Sequence, residues 1–302
     1  MDNFLTVLRK GASGTGKGPV LLAAGFVAAL VGAIGLIQYT EYGQAMVSST
    51  ADVLPSLLFV TIGTVLPLLV TPYLLGGSLG YALEMVSGGK PGWPVFFASA
   101  RKHYLNLFFA GIIAFLIYTV LAFVLILLVG SGSILCCLAL PAVMIVFVCL
   151  AAIEFYDIAI VAEGLDFVKG FTASVSFVRK HFRFALLFFA IVLVARFLVQ
   201  LPVMCVIELK LMAGFFANNP DFFNNTTNAT NMTAVNLTEM ASQAITLSVP
   251  SLLAIAVMQI ILQTIVFAFV NSYKAEFYRW AKSFKRITDF DYEFTDEKKG
   301  AQ

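Results

Sequence analysis

The sequence predicts an all-α, polytopic membrane protein. Six transmembrane helices, with cytoplasmic interfacial amphipathic helices and an internal repeat, form a single membrane domain over residues 1–302. Three observations predict this. Hydrophobic residues make up 60% of the 302 and charged residues only 12%, where a soluble domain carries about a quarter charged. Six stretches reach the length of about 20 apolar residues that crosses the hydrocarbon. The basic residues collect in alternate loops.

The spans are read at 19–39, 54–83, 105–129, 134–160, 184–207 and 245–270. Arg9, Lys10 and Lys17 precede the first, as in a signal peptide. That run is longer than a signal's apolar region and no small-residue cleavage site follows, so it reads as an uncleaved span. Pro67 and Pro72 fall in the second, Pro141 in the fourth and Pro202 in the fifth. Each removes a backbone donor, so bends are expected there.

Orientation follows from charge. The N-terminal segment holds Arg9, Lys10 and Lys17, and the 84–104 loop holds Lys90, Arg101 and Lys102. The 161–183 loop holds Lys169, Arg179, Lys180 and Arg183. The tail, 273–302, holds Lys274, Arg279, Lys282, Lys285, Arg286, Lys298 and Lys299. All other basic residues are Arg196, inside a span, and Lys210 on the opposite side. The positive-inside rule puts both termini in the cytoplasm of a multi-pass protein of the cell membrane. The loop 210–243 then lies outside. It carries glycosylation sequons at Asn224, Asn225, Asn228, Asn231 and Asn236, and such sites are modified only on the non-cytosolic face.

Residues 92–104, from Gly92-Trp93-Pro94 to Arg101-Lys102-His103-Tyr104, align without a gap to 170–182, from Gly170-Phe171-Thr172 to Arg179-Lys180-His181-Phe182. The 78-residue offset also superposes spans two and three on four and five. Trp93, Phe97, Ala100 and Tyr104, and Phe171, Val175, Val178 and Phe182, recur at helical spacing. These segments read as interfacial helices, apolar face down. A fainter third copy, with Leu5, Leu8, Arg9 and Lys10, precedes the first span. Arg101, Lys102, Arg179 and Lys180 are candidate lipid-headgroup residues. Membrane lipid is thus an expected partner, and a protein at the cytoplasmic face is another. A net charge of +2 gives no reason to expect a nucleic-acid partner.

His103 and His181 occupy equivalent positions and read as headgroup-level polar residues. Gly130-Ser131-Gly132-Ser133 reads as a turn, because both His lie across the hydrocarbon from it. Cys136, Cys137, Cys149 and Cys205 read as small core residues, with an outer-face disulfide from Cys136 or Cys137 to Cys205 the alternative. No catalytic constellation, metal site or cofactor is predicted. Arg196 stands out: about thirteen residues into the fifth span, it sits near the midplane, where facing lipid costs at least ~2.5 kcal/mol. Gln200 follows one turn later, and Gln259 and Gln263 reach similar depth on the sixth span. The four form a candidate anion-binding site or a polar clasp. Glu154 and Asp157 are placed near the inner end of the fourth span.

The stretch Ala162-Glu163-Gly164-Leu165-Asp166-Phe167-Val168-Lys169-Gly170-Phe171-Thr172-Ala173-Ser174, leading to Phe177-Val178-Arg179-Lys180-His181-Phe182, resembles the six-span proteins related to the membrane domain of glycerophosphoryl diester phosphodiesterase. A short helix ending in Arg-Lys before the first span adds to the likeness. The resemblance implies an architecture and no catalytic residue. The functional expectation is a non-enzymatic protein that binds or transports an anionic or amphiphilic small molecule or lipid. The alternative is a membrane scaffold acting through its cytoplasmic helices.

Overall fold

A computed structural model describes residues 2–48, 53–130, 136–218 and 249–297. Nine helices run through the described residues: α1 Asp2–Lys17, α2 Pro19–Ser48, α3 Val53–Val86, α4 Trp93–Gly130, α5 Cys136–Ile153, α6 Tyr156–Glu163, α7 Phe167–Lys180, α8 Phe182–Asn218 and α9 Val249–Glu297. Among the described residues, five stretches are long and apolar enough to cross a membrane: Val65–Val86, Trp93–Val124, Val143–Glu163, Phe182–Val206 and Leu253–Ser283. A sixth is reached if α1 and α2, bent by 80° between Gly16 and Pro19, are taken as one broken span. The protein is an all-α integral membrane protein.

Four boundaries differ from the sequence reading. The 93–104 segment is not a separate helix; it runs straight into the third span, because nothing at Arg101–Tyr104 breaks the backbone ladder. The fourth span breaks at Glu154–Phe155, whereas Pro141 is accommodated inside α5. The α8 helix continues to Asn218, into the expected outer loop. The last helix extends through most of the expected tail. The sequons at Asn224, Asn225, Asn228, Asn231 and Asn236 lie outside the described residues.

The chain divides into two compact units. One comprises Met1–Gly25, Leu68–Leu193 and Phe267–Gln302; the other comprises Phe26–Pro67 and Val194–Val266. The first is built around aromatic rings. Phe188 stacks on Tyr273 at 4.6 Å between centroids and on Phe277 at 4.8 Å, and Phe155 meets Phe177 and Phe188 at 4.9 Å each. Such pairs contribute about 0.5–1.5 kcal/mol beyond the area they bury.

α1 docks on this core through a stripe at helical spacing. Phe4, Val7, Gly11 and Gly14 are buried while Leu5 is exposed. Phe4 reaches Phe184, Tyr273, Phe277 and Trp280. Gly14 is needed for the approach: a Cβ there would stand 2.3 Å from Ser272 Oγ. In the second unit, Gln263 rests against Gly32, with its Nε2 3.1 Å from where a Cβ would be. Cys149 and Cys205 are exposed free thiols, so the disulfide alternative through Cys205 is not formed.

Candidate functional site

Four consecutive polar side chains of α9, Asn271, Ser272, Tyr273 and Lys274, are all buried in the first unit. A run of four points in every direction around a helix, so this turn must be enclosed on all sides. Asn271 bonds back within its own helix, donating Nδ2–H to the Phe267 carbonyl one turn earlier at 2.9 Å. Lys274 does something less local. Its Nζ lies 3.0 Å from Glu154 Oε1 and 2.9 and 3.1 Å from the two carboxylate oxygens of Asp157. It also donates to the Glu154 carbonyl at 2.9 Å. The side chains are 2–6% exposed.

The break between α5 and α6 explains this arrangement. Ending one helix and starting another leaves backbone groups without partners, which is costly where no water competes. Here side chains take those roles. Lys274 donates to the Glu154 carbonyl. The Phe155 amide donates to Ser174 Oγ at 3.1 Å, and the Ser174 hydroxyl donates to the Ala152 carbonyl at 2.7 Å. Ser174 comes from α7, which starts with Asp166 as its N-cap, its carboxylate accepting from the Lys169 amide at 2.8 Å. That bond holds the Asp166 carboxyl below its ordinary range.

One turn onward, Glu163 at the end of α6 receives the Tyr278 hydroxyl and pairs with Lys282 at 2.6 Å, while the Lys282 ammonium lies 5.0 Å from the Tyr278 ring centre. Arg279 donates to the Val86 carbonyl at the end of α3. The hydroxyls of Ser78, Ser272 and Tyr273 are buried and make no hydrogen bond among the described residues.

The sequence reading places Lys274 at the start of the cytoplasmic tail; here it is buried, within Leu253–Ser283, a stretch long and apolar enough to cross a membrane. The signal was present in Glu154 and Asp157: two acids three residues apart in an otherwise apolar run need a cation nearby. His103, read as a headgroup-level residue, is buried at 5% exposure on α4. His181 sits at the α7–α8 junction; burial first, then the Lys180 charge, lowers its proton affinity.

The predicted site residues fall in different surroundings. Arg196 and Gln200 are exposed on α8, Gln259 is buried, and Gln263 is half-buried. The Gln259 amide oxygen is enclosed without a donor among the described residues. Arg101, Lys102, Arg179 and Lys180 are all exposed. Of the apolar stripes, Trp93, Phe97, Val175 and Phe182 are exposed, and Ala100 and Val178 are buried.

Residues 3–281 match a family described as a domain of unknown function (DUF7847), and the chain belongs to that family. No curated protein and no solved structure matches it.

Proposed function

We propose that the protein is a carrier of a small anionic or amphiphilic solute, with Glu154, Asp157 and Lys274 as its working polar centre. One observation carries this reading: three ionisable side chains meet at a helix break inside a membrane-spanning stretch. Intramembrane charges are rare because they are expensive, and they mark ion and solute pathways when they persist. Broken helices at polar centres are how many secondary transporters hold their ions.

The 78-residue repeat supports the reading, since carriers are often built from such copies. Gly77 and Phe96 of the first copy touch, as do Phe155 and Ser174 of the second, and these are the same two aligned positions. Arg196, Gln200, Gln259 and Gln263 are the proposed anion contacts. The topology we propose keeps both termini in the cytoplasm of the cell membrane, with the sequon loop outside and glycosylated. The resemblance to the membrane domain of glycerophosphoryl diester phosphodiesterase enters this proposal as architecture only.

The test is uptake of a panel of small organic anions and single-chain amphiphiles into proteoliposomes. At least one should accumulate with the wild type. An Arg196→Leu variant that folds should lose accumulation of an anionic solute. Absence of uptake across the panel, with no ligand-dependent thermal shift, would contradict the carrier reading. The second reading, a scaffold binding anionic lipid through Arg101, Lys102, Arg179 and Lys180, is favoured by the exposure of all four. It predicts liposome association that falls when those charges are reversed, about 1 kcal/mol for each cation near an anionic surface.

A further inference from the structure

We infer that α1 is a detachable strap: docked, it seals the Ser272–Tyr273 turn of α9, and released, it lies on an anionic lipid surface. A Cβ on Gly14 would stand 2.3 Å from Ser272 Oγ, and one on Gly11 would stand 2.8 Å from Tyr273 Cα. Any larger side chain at either position would hold the helix off, so the two glycines set the approach. Beneath them, the Ser272 and Tyr273 hydroxyls are enclosed without a hydrogen-bond partner among the described residues. Buried hydroxyls usually have one. Asn271 and Thr264, on the same helix, bond back to the carbonyl one turn earlier. The Ser272 hydroxyl makes no such bond. Docking thus closes over two polar groups that water would serve, and this sets the docked state against a released one.

The joint lets α1 move alone. The two helices α1 and α2 are bent by 80° between Gly16 and Pro19. Pro19 has no N–H with which to carry the ladder of α1 across. The Leu21 and Leu22 amides bond instead to the Gly18 carbonyl, at 2.9 and 3.2 Å. Gly18 is itself buried against Leu21 and Tyr81. The start of α2 is therefore anchored without α1. The Ser13 and Thr15 hydroxyls bond carbonyls of α1 itself, at 2.9 and 3.2 Å, so those bonds travel with the strap.

The apolar face of α1 has two seats. In the docked state Phe4 packs on Phe184, Tyr273, Phe277 and Trp280, and Val7 is buried on the same face. Leu5 stays 59% exposed there. Arg9 and Lys10 are exposed, with Lys10 near enough to Glu276 of α9 for their charges to interact. A helix with Phe and Leu at its apolar side and cations beside them also binds the headgroup boundary of a membrane, most strongly where the lipid is anionic. Release frees Lys10 from Glu276 and brings both cations to the headgroups. Lipid charge therefore favours the released state and shifts the population toward it.

A gating role for the strap rests on the carrier reading; its release does not. The experiment reads release directly, so its failure and a failure of solute uptake are separate results. In the full-length protein the four cysteines are replaced by alanine. Spin labels are placed on two exposed positions, Leu5→Cys of α1 and Ser176→Cys of α7. The distance between them is read by pulsed electron resonance in nanodiscs. In phosphatidylcholine the docked distance should dominate, with a longer one as a minor population. Adding phosphatidylglycerol should raise the longer-distance share by about five- to tenfold, the effect of one to two cations near an anionic surface. Arg9→Gln should remove most of that rise.

Two further variants act on the docked state alone. Gly14→Ala should raise the longer-distance share in phosphatidylcholine, because its Cβ meets Ser272 Oγ. Ser272→Ala keeps the Cβ and removes the unpaired hydroxyl, so it should lower that share in both lipids. Three results would overturn the proposal. They are a single docked distance in both lipids and in Gly14→Ala, a longer-distance share that ignores lipid charge, or failure of Gly14→Ala to fold. The last would make α1 a fixed part of the core.

Discussion

At the 78-residue offset that pairs 92–104 with 170–182 in the sequence reading, residues 76–104 fall opposite 154–182, and the chain treats the two regions differently. In the first region α3 runs unbroken through Gly76 and Gly77, and α4 runs unbroken from Trp93 through His103. In the second, the helix breaks at Glu154–Phe155 and again at His181. The carbonyl of residue 76 accepts the Ser99 hydroxyl at 2.8 Å; the carbonyl at the aligned position 154 accepts the Lys274 ammonium at 2.9 Å. Large and small residues are also exchanged. A Cβ on Gly77 would stand 2.6 Å from the Phe96 ring, whereas Phe155 faces the small Ser174. One aligned contact is filled from opposite sides. The lesson is that charge enters where the backbone opens: an intact helix asks for a hydroxyl, and a broken one takes an ammonium and two acids.

The largest effect should come from Lys274→Met. It leaves two buried carboxylates without their cation and should lower stability by about 3–5 kcal/mol, read as the unfolding midpoint in detergent. The first region offers a test by exchange. Gly77→Phe alone overpacks against Phe96 and should cost above about 3 kcal/mol. Adding Phe96→Ser recreates the Phe155–Ser174 arrangement and should recover most of that loss; an additive double variant would break the comparison.

Ser174→Ala is expected to cost about 1–3 kcal/mol, because the Phe155 amide and Ala152 carbonyl lose their partner in a buried place. The smallest effect is at the exposed cap of α7. Asp166→Ala should speed amide exchange over Phe167–Gly170 at neutral pH. The low carboxyl pKa of Asp166 means its contribution is present above the unfolded value and lost as pH falls through the folded one. Wild type and variant should therefore converge below about pH 4.

Much of the fold was legible in the sequence because membrane spans are long and their signal is compositional. The runs that contain Phe97, Leu107 and Phe188 cannot be mistaken for anything soluble. The helix break at Glu154–Phe155 was not legible, because the sequence offers Pro141 as the obvious breaker. That proline can be tolerated inside a membrane helix, where neighbouring groups satisfy the freed backbone group. The break is set by tertiary partners, Ser174 and Lys274, that lie 19 and 120 residues away from the groups they bond. The burial of Lys274 was not legible for a related reason. Charge asymmetry counts residues by loop, and it cannot see that the sixth helix continues inward past its apolar run. Arg196 drew attention by depth alone, and depth does not say which way a side chain faces.

The Glu154–Asp157–Lys274 cluster is proposed to serve function rather than only the fold, and one variant separates the two. Replacing all three by neutral near-isosteres, Glu154→Gln, Asp157→Asn and Lys274→Met, removes every charge together. Such replacement is often neutral or stabilising even where single removal is ruinous. The triple variant is expected to unfold near the wild-type midpoint, recovering the loss of Lys274→Met, and no longer to accumulate solute in proteoliposomes. A triple variant that folds and still accumulates solute at the wild-type rate would contradict it and reduce the cluster to a clasp on a broken helix.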